Sequence, residues 1–223
     1  MRSHRLAVSL VGTIVALGAC TGDDPTGSPA DAAIGVRATG CGLVDSLGTG
    51  AVISSDDRTL IVTSAHTVAG SHTITVERGR SSAAVELVAL DPERDLAVLT
   101  APGWSDPGRV LSAPEQNAAA HLAVWNPGEN ISVADTEITR LLRVTIEDIY
   151  VVGEHERRAF EVAATVVRGD SGAPVVADDG SVYGIVYARS RERDGVAFAV
   201  SSVEIDDLLS RTGVAAVDSG RCA

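Results

Sequence analysis

Short runs of apolar or alternating residues, separated by turn residues, dominate the chain from Gly40 onward. The runs are rich in Val, Ile, Thr and Ala, and the breaks carry Gly, Pro, Asp and Ser, as in short β-strands joined by tight turns. The first group of predicted strands comprises residues 48–54, 59–64, 72–77, 83–90 and 96–100. The second group comprises residues 110–111, 121–125, 131–135, 138–144, 148–152, 160–165, 174–177, 182–188 and 196–201.

A segment with few hydrophobic residues, 101–108, separates the two groups, and a stretch with helical spacing of its apolar residues follows at 203–210. Five or six strands, a connector, six or more strands and a final helix predict an all-β protein. We expect two six-stranded antiparallel β-barrels and a short C-terminal helix. The barrels are placed at about 41–100 and 108–202, in one domain that extends to residue 223.

The N-terminus has the pattern of a bacterial export signal. Arg2 and Arg5 precede an almost wholly apolar run, 6–19, which is shorter than the roughly 20 residues of a membrane-spanning helix. Residues 1–19 therefore predict a lipoprotein signal peptide, with cleavage before Cys20 and lipidation of that cysteine as a stable membrane anchor. A plain signal peptide with a chance cysteine is the alternative.

Residues 20–40 are rich in Gly, Pro, Asp, Ala and Ser and predict a flexible tether. A short ordered arm around residues 34–36 is the alternative. The domain is then expected to be exported and held at the outer face of the bacterial cell membrane, on the periplasmic or extracellular side.

Composition and charge narrow the class of protein. The hydrophobic content of 45% is ordinary for a globular domain, and the aromatic content of 3% means that Val, Ile, Leu and Ala must build the core. The net charge of −12 argues against nucleic acid and anionic membrane surfaces as partners.

Cys41 and Cys222 flank the part of the chain that is predicted to fold. An exported chain meets oxidising conditions, so this pair suggests a disulfide, and two free thiols are the alternative. The sequence shows no His or Cys cluster with metal-ligand spacing, so we expect neither a metal nor another cofactor.

The strongest chemical signal is the hexapeptide 169–174, Gly-Asp-Ser-Gly-Ala-Pro, between two apolar runs. Its glycines permit the positive φ angles of a tight turn. Such a turn can direct the N–H groups of Gly169 and Ser171 toward one point, as an oxyanion hole. Ser171 is therefore a candidate nucleophile that needs a base and an orienting carboxylate, although an ordinary glycine-rich turn is the alternative for the hexapeptide alone.

His66 and Asp95 can supply the base and the carboxylate. His66 follows the predicted strand 59–64, and Asp95 directly precedes the predicted strand 96–100. Each is a weak candidate alone, because a lone histidine is more often structural and an acid at a strand start is usually a cap. Together with Ser171 they give the chain order His, Asp, Ser, divided between the two strand groups.

These three segments resemble the trypsin-like, chymotrypsin-fold serine proteases. The resemblance is carried by Thr-Ser-Ala-His ending at His66, by Asp-Leu-Ala-Val-Leu starting at Asp95, and by the hexapeptide. The compact spacing is similar to the bacterial Deg/HtrA branch, and we expect no PDZ domain. Asp-Ile-Tyr at 148–150 and the two flanking cysteines are similar to relatives of the mycobacterial acid-resistance periplasmic serine protease, in which a disulfide joins the ends of the domain.

The resemblance implies roles for the candidate residues. Ser171 would attack the scissile carbonyl, and His66 would accept its proton and return it to the leaving amine. Asp95 would orient His66 and stabilise the imidazolium. The N–H groups of Gly169 and Ser171 would bind the oxyanion.

The resemblance also implies a substrate pocket at Thr165, Tyr187, Ala188, Arg189 and Gly195. Thr165, at the expected pocket floor, is neutral and does not imply a preference for Arg or Lys, so we expect a small or medium uncharged P1 residue. Arg189 can narrow the pocket, favour acidic substrate groups or point into solvent.

The sequence therefore predicts a membrane-tethered serine endopeptidase that hydrolyses exported or envelope proteins or peptides, and a monomer. A catalytically silent binding or scaffold lipoprotein on the same fold is the alternative, because a fold does not define an activity. A substrate-binding lipoprotein is disfavoured, because no two-lobed α/β pattern is present.

Overall fold

A computed structural model describes residues 27–100 and 107–223, and their β-strands fall into two antiparallel groups. The strands of the first group are β1 (Ala33–Thr39), β2 (Ser46–Ser55), β3 (Arg58–Thr63), β4 (Thr73–Arg78), β5 (Ser81–Val85), β6 (Leu87–Asp91) and β7 (Leu96–Thr100). The strands of the second group are β8 (Ala119–Trp125), β9 (Ile131–Glu147), β10 (Glu154–Val162), β11 (Pro174–Val176), β12 (Val182–Arg189) and β13 (Ala197–Ser201).

The first group forms one seven-stranded sheet in the order β5-β4-β1-β2-β3-β7-β6, and the second closes into a barrel in the order β10-β13-β12-β11-β8-β9. A 3-10 turn (Pro29–Ala32) precedes β1, a short helix α1 (Ala65–Val68) follows β3, and helix α2 (Ser202–Arg211) follows β13. None of the helices in the described ranges is long and apolar enough to cross a membrane.

Each half has its own apolar core, and a third cluster joins them. Ile53 and Val62 of the first half pack with Ile185 and Val200 of the second half and with Ile205 of α2, all almost fully buried. Small residues allow the halves to approach closely: a Cβ at Gly35 on β1 would collide with the indole of Trp125 on β8. This shared core holds the facing surfaces of the two halves, between which the cleft lies, in one relative position.

The all-β prediction, with two antiparallel halves and a C-terminal helix, is confirmed, but the first half differs from a closed six-stranded barrel. The predicted strand 83–90 is divided into two strands. Strand β5 ends just before the exposed Glu86, and β6 begins just after it. The added strand β1 brings the sheet to seven strands, and this sheet is open, not closed.

The predicted tether is wrong for residues 29–39, and the alternative of an ordered arm at 34–36 is correct. Strand β1 pairs with β2 on one side and β4 on the other, with Ile34 and Val36 fully buried. The Gly- and Ala-rich composition suggested a linker, but the small residues serve close packing against the second half. The signal peptide, Cys20 and most of the connector at 101–108 lie outside the described residues.

Three smaller strand predictions are also corrected. Residues 131–135 and 138–144 belong to one long strand, β9, and of residues 110–111 only Leu111 forms an isolated β-bridge. The predicted strand 148–152 is a turn, because the Asp148 carboxylate accepts hydrogen bonds from the N–H groups of Tyr150 and Val152, at 2.8 and 2.9 Å. The helix predicted at 203–210 is confirmed, with one further residue at each end.

Candidate active site

His66 lies on the four-residue helix α1, directly after the buried end of β3. Thr63 and Ser64 anchor this corner: the Thr63 hydroxyl donates to the Thr49 carbonyl at 2.7 Å, and the Ser64 hydroxyl donates to the Val186 carbonyl at 3.3 Å. Since Val186 belongs to the second half, the corner that carries His66 is held by both halves.

Asp95 occupies the turn between β6 and β7, with only 5% of its surface exposed. One carboxylate oxygen lies 2.7 Å from His66 Nδ1, and the other accepts the backbone N–H of His66 at 2.9 Å. A carboxylate only accepts hydrogen bonds, so His66 carries its proton on Nδ1, and Nε2 is the basic nitrogen. Asp95 therefore defines both the tautomer of His66 and the position of its backbone.

The environment of His66 changes its proton affinity in opposing directions. Burial lowers the pKa of His66, but the hydrogen bond and the charge of Asp95 raise it more, and Arg157 opposes Asp95 through its positive charge. The net result is a pKa above the ordinary value of 6.5.

Ser171 lies in a turn between β10 and β11 that glycine makes possible. Gly169 and Gly172 have φ angles of 105° and 85°, and a Cβ at Gly172 would collide with the carbonyl oxygen of Thr49. The Ser171 carbonyl accepts the N–H of Thr49 at 2.8 Å. Within the described residues the N–H groups of Gly169 and Ser171 donate to no protein acceptor, which leaves both able to bind an oxyanion.

Asp170, beside the candidate nucleophile, is half-buried and turned toward its own loop. Its carboxylate accepts the N–H of Val167 at 2.8 Å. Burial raises the pKa of Asp170, although this hydrogen bond opposes the effect. No ion pair joins Asp170 to a cation among residues 27–100 and 107–223.

His66 and Ser171 line one cleft of about 780 Å³ between the two halves. The apolar part of its wall is supplied mainly by Leu47, Trp125, Pro127, Val166, Val167, Val186 and Ala188. Arg168 and Arg189 also line the cleft, and the side chain of neither forms a hydrogen bond or ion pair with another described residue. Both arginines are exposed.

The structure brings some predicted pocket residues to this cleft and not others. Ala188 and Arg189 line it, as does Gly169 of the predicted oxyanion hole, whereas Thr165, Tyr187 and Gly195 do not. Thr165 and Gly195 are exposed outside it, and their part in substrate binding stays a prediction. The Tyr187 ring lies against the guanidinium of Arg157, 5.0 Å from the ring centre, and its part in substrate binding also stays a prediction.

Sequence reasoning missed several residues of the site. Thr49 and Trp125 come close to the Ser171 turn only through tertiary packing, and the Trp125 N–H donates to the Thr49 hydroxyl at 3.1 Å. Arg157 had a weak signal: it occupies an inward position of β10, where an apolar residue is usual, but the predicted strand began after it.

The disulfide between Cys41 and Cys222 is formed, with the two Cα atoms 5.5 Å apart. The disulfide lies beside Gly70, just after α1. The N–H of Gly70 donates to the Ser219 carbonyl at 2.8 Å. The prediction of a disulfide is therefore confirmed, and the bridge ties the C-terminal segment to the corner that carries His66.

Comparison with known proteins agrees with this site. The family profile of the trypsin-like peptidase domain matches residues 48–185. Serine protease Rv3671c of Mycobacterium tuberculosis is 32% identical over 181 residues, which are 78% of this chain and 44% of that protein. Magnetosome formation protease MamE of Paramagnetospirillum magneticum is 27% identical over 71% of this chain and 22% of its own length. The chain thus spans less than half the length of these relatives.

Two solved structures extend the comparison. The active form of the Rv3671c protease from M. tuberculosis gives a TM-score of 0.81 at 25% identity, and the alignment covers 100% of this chain and 99% of that chain. The HtrA-type protease AlgW, solved with a tripeptide, gives a TM-score of 0.66 at 23% identity over 81% and 60% of the two chains, which shows the shared fold alone. With the family profile across more than half of its length and the Asp95–His66 pair facing the same cleft as Ser171, the chain belongs to the trypsin-like peptidase family.

Proposed function

We propose that the chain is a serine endopeptidase that acts through an acyl-enzyme. The observation that carries this proposal is the 2.7 Å contact between Asp95 and His66 Nδ1, which leaves His66 Nε2 as a base in the cleft that Ser171 also lines. A serine, a base and an orienting carboxylate are the elements of nucleophilic acyl transfer.

The reaction begins when Ser171 Oγ attacks the carbonyl carbon of the scissile peptide and its proton passes to His66 Nε2. The carbonyl π electrons move to oxygen, and the N–H groups of Gly169 and Ser171 stabilise the resulting oxyanion, each by about 3–4 kcal/mol. The C–N bond then breaks as His66 returns the proton to the leaving amine. Water, deprotonated by His66, attacks the acyl-enzyme and releases the carboxylic acid and free Ser171.

The substrate is proposed to be a peptide or a protein segment with a small or medium uncharged P1 residue. The apolar wall of Val166, Val167 and Ala188 beside Ser171 supports this choice. Arg168 and Arg189 add two unpaired cations to the same cleft, whereas its Asp45 is paired with Arg37 at 3.0 Å and its half-buried Asp170 is turned toward its own loop. Acidic side chains flanking the scissile bond are therefore favoured by charge, on a protein whose net charge is otherwise −12.

The protein is further proposed to be exported as a monomer, lipidated at Cys20 and held at the outer face of the bacterial cell membrane, where exported or envelope proteins would be its substrates. The apolar run before Cys20 supports the anchor, and the Cys41–Cys222 disulfide supports an oxidising compartment. Metabolic labelling with a palmitate analogue tests the anchor: wild type should carry label and Cys20→Ala should carry none. Label retained by Cys20→Ala would contradict it.

The catalytic proposal is tested by reaction with a fluorophosphonate probe. The folded wild type should be labelled at Ser171, and Ser171→Ala should show no labelling at an unchanged unfolding midpoint. Ser210→Ala, at an exposed position of α2, is the matched control and should be labelled to the same extent as the wild type. A folded wild type that neither reacts with the probe nor cleaves any member of a peptide library would instead favour the silent scaffold.

A further inference from the structure

Arg157 is a buried arginine that the acyl-transfer chemistry does not account for. It extends inward from β10, and only 2% of its surface is exposed. One terminal nitrogen donates to the carbonyl of Arg94 at 2.9 Å, and the other donates to the carbonyl of Glu147 at 3.3 Å. Its Nε has no hydrogen-bond partner, and no carboxylate of the described residues forms an ion pair with it. A buried guanidinium without a direct counterion is costly, so a role that offsets this cost is expected.

The first contact of Arg157 leads to the catalytic pair. Arg94, whose carbonyl it holds, directly precedes Asp95, and Asp95 has a φ angle of 57°. A non-glycine residue in this left-handed region is strained and persists only where its surroundings hold it. Arg94 is itself held at its side chain by Asp91 and Glu204, each at 2.7 Å. The turn that presents Asp95 to His66 is therefore held through both the side chain and the backbone carbonyl of Arg94.

Arg157 also acts on the Asp95–His66 pair through its positive charge. The Tyr187 ring lies over the guanidinium at 5.0 Å, and because only 2% of Arg157 is exposed, little solvent screens its charge. The charged and titratable groups around it are Asp95, Asp91 and Glu204, and the groups that act on His66 are Asp95 and Arg157. Asp95 favours the protonated form of His66, and Arg157 opposes that form.

We propose that Arg157 is a positioning residue for the Asp95–His66 pair: it holds the Arg94–Asp95 turn through the Arg94 carbonyl, and its buried positive charge acts on that pair. The proposal rests on the proposed peptidase function for its kinetic consequences. Its electrostatic part concerns only the folded protein and can be measured without turnover.

The first experiment measures the titration of His66 by NMR in the Ser171→Ala background, with the His66 signal assigned by its loss in His66→Gln. Replacing Arg157 by Gln should raise the midpoint of the His66 titration by about 0.5–1 pH unit, because the opposing charge is gone. Replacing it by Lys retains the charge and should leave the midpoint within about 0.3 unit of the parent protein. Arg158→Gln, on the exposed face of the same strand, is the matched control and should leave it unchanged. An unchanged midpoint in Arg157→Gln would overturn the proposal.

The second experiment measures kcat and KM of Arg157→Lys in the active protein across pH. One ammonium cannot reach the carbonyls of both Arg94 and Glu147, so kcat should fall by about tenfold at an unchanged KM, with the acidic limb of the profile in place. If Arg157→Gln does not fold, Arg157→Lys tests both roles. A wild-type kcat in Arg157→Lys overturns the positioning role. A His66 midpoint in Arg157→Lys that differs from that of the parent protein by a full unit overturns the charge role. If the wild type has no turnover, the proposed function fails while the NMR titration still tests Arg157.

Discussion

The N–H of Thr49 donates a hydrogen bond of 2.8 Å to the carbonyl of Ser171, and this bond joins the nucleophile turn of the second half to strand β2 of the first. The carbonyl of Thr49 also accepts the hydroxyl of Thr63, three residues before His66. Ser171 and His66 come from different halves of the chain, so one threonine links the backbones of both and limits their relative motion.

We predict that Gly172→Ala disrupts this link. The new Cβ would collide with the Thr49 carbonyl and approach the Thr63 hydroxyl, at a φ angle of 85° that already disfavours alanine. The free energy of unfolding should fall by about 2–4 kcal/mol, and probe labelling of Ser171 should be lost. Gly79→Ala is the matched control, because its φ angle of 58° is also positive but nothing lies near its Cβ. It should cost about 1 kcal/mol in a urea titration, and equal losses for the two variants would contradict the steric argument.

The pKa of His66 predicts the pH dependence of activity. The base must be neutral, and Asp95 raises its pKa above 6.5 against the lowering effect of burial, so kcat/KM should decline as pH falls through a midpoint above 6.5. Asp95→Asn removes the charge and the correct tautomer, and should lower kcat by about 10⁴-fold. Initial rates on a peptide substrate from pH 5 to 9 measure both effects. An acidic limb centred below 6 in the wild type would argue against His66 as the base.

Removal of the disulfide should weaken the fold. Cys41 and Cys222 are separated by 181 residues, and opening a loop of this length costs about 5 kcal/mol in the chain-entropy model. The Cys41→Ser/Cys222→Ser variant should unfold at lower urea concentration, and a reductant should shift the wild type toward the same midpoint but leave the variant unaffected. A wild type whose midpoint does not respond to a reductant that demonstrably frees both thiols would refute this prediction.

Glu161 should make the free energy of unfolding depend on pH. Arg193 lowers its pKa by hydrogen bonding, burial opposes this, and Arg140 adds a second bond in the same direction. A carboxyl with a depressed pKa contributes stability above its unfolded value, near 4.5, and loses that contribution as pH falls through the folded pKa. Glu161→Gln should cost about 1–2 kcal/mol at pH 7 and flatten the decline in unfolding free energy between pH 5 and 3.

The matched control for Glu161 is Glu156→Gln on the same strand. Glu156 pairs with Arg143 at 2.5 Å, but both side chains are more than half exposed, so its loss should change stability by less than about 0.5 kcal/mol. Urea titrations of the three proteins at several pH values provide the comparison. Equal responses of the two variants would show that burial of Glu161 is not the decisive difference.

Arg168 and Arg189 should set a preference for acidic peptides. The wild type should cleave peptides with Glu beside the scissile bond about 3–10-fold faster, in kcat/KM, than the same peptides with Gln, and 0.5 M salt should reduce the ratio. The double replacement Arg168→Gln/Arg189→Gln should abolish the preference. Arg191→Gln, exposed and outside the cleft, should retain it, and a preference that survives the double replacement would disprove the role of these arginines.

Local pattern was sufficient for much of the fold and for the segments that carry the candidate chemistry. Strand β7 has the predicted ends, α2 extends one residue further at each end, and the turn of Ser171 lies where its glycines place it. These features depend on near neighbours in the chain: side-chain alternation, helical spacing and the positive φ that glycine permits. The predictions were wrong where composition alone was used and distant packing partners decide the structure. The small residues of β1 have the composition of a linker, but Trp125 and two neighbouring strands pack against them.

The sequence by itself determined which residues can do chemistry: it contains His66, Asp95 and Ser171 at strand ends and in a glycine turn, in an order typical of one family. Only the tertiary structure decided how they are held. The hydrogen bond of Arg157 to the Arg94 carbonyl, the Thr49 link to Ser171 and the contact between Arg157 and the Tyr187 ring all join residues far apart in the chain. Such contacts depend on how the two halves pack, and a local pattern of side chains carries no record of that packing.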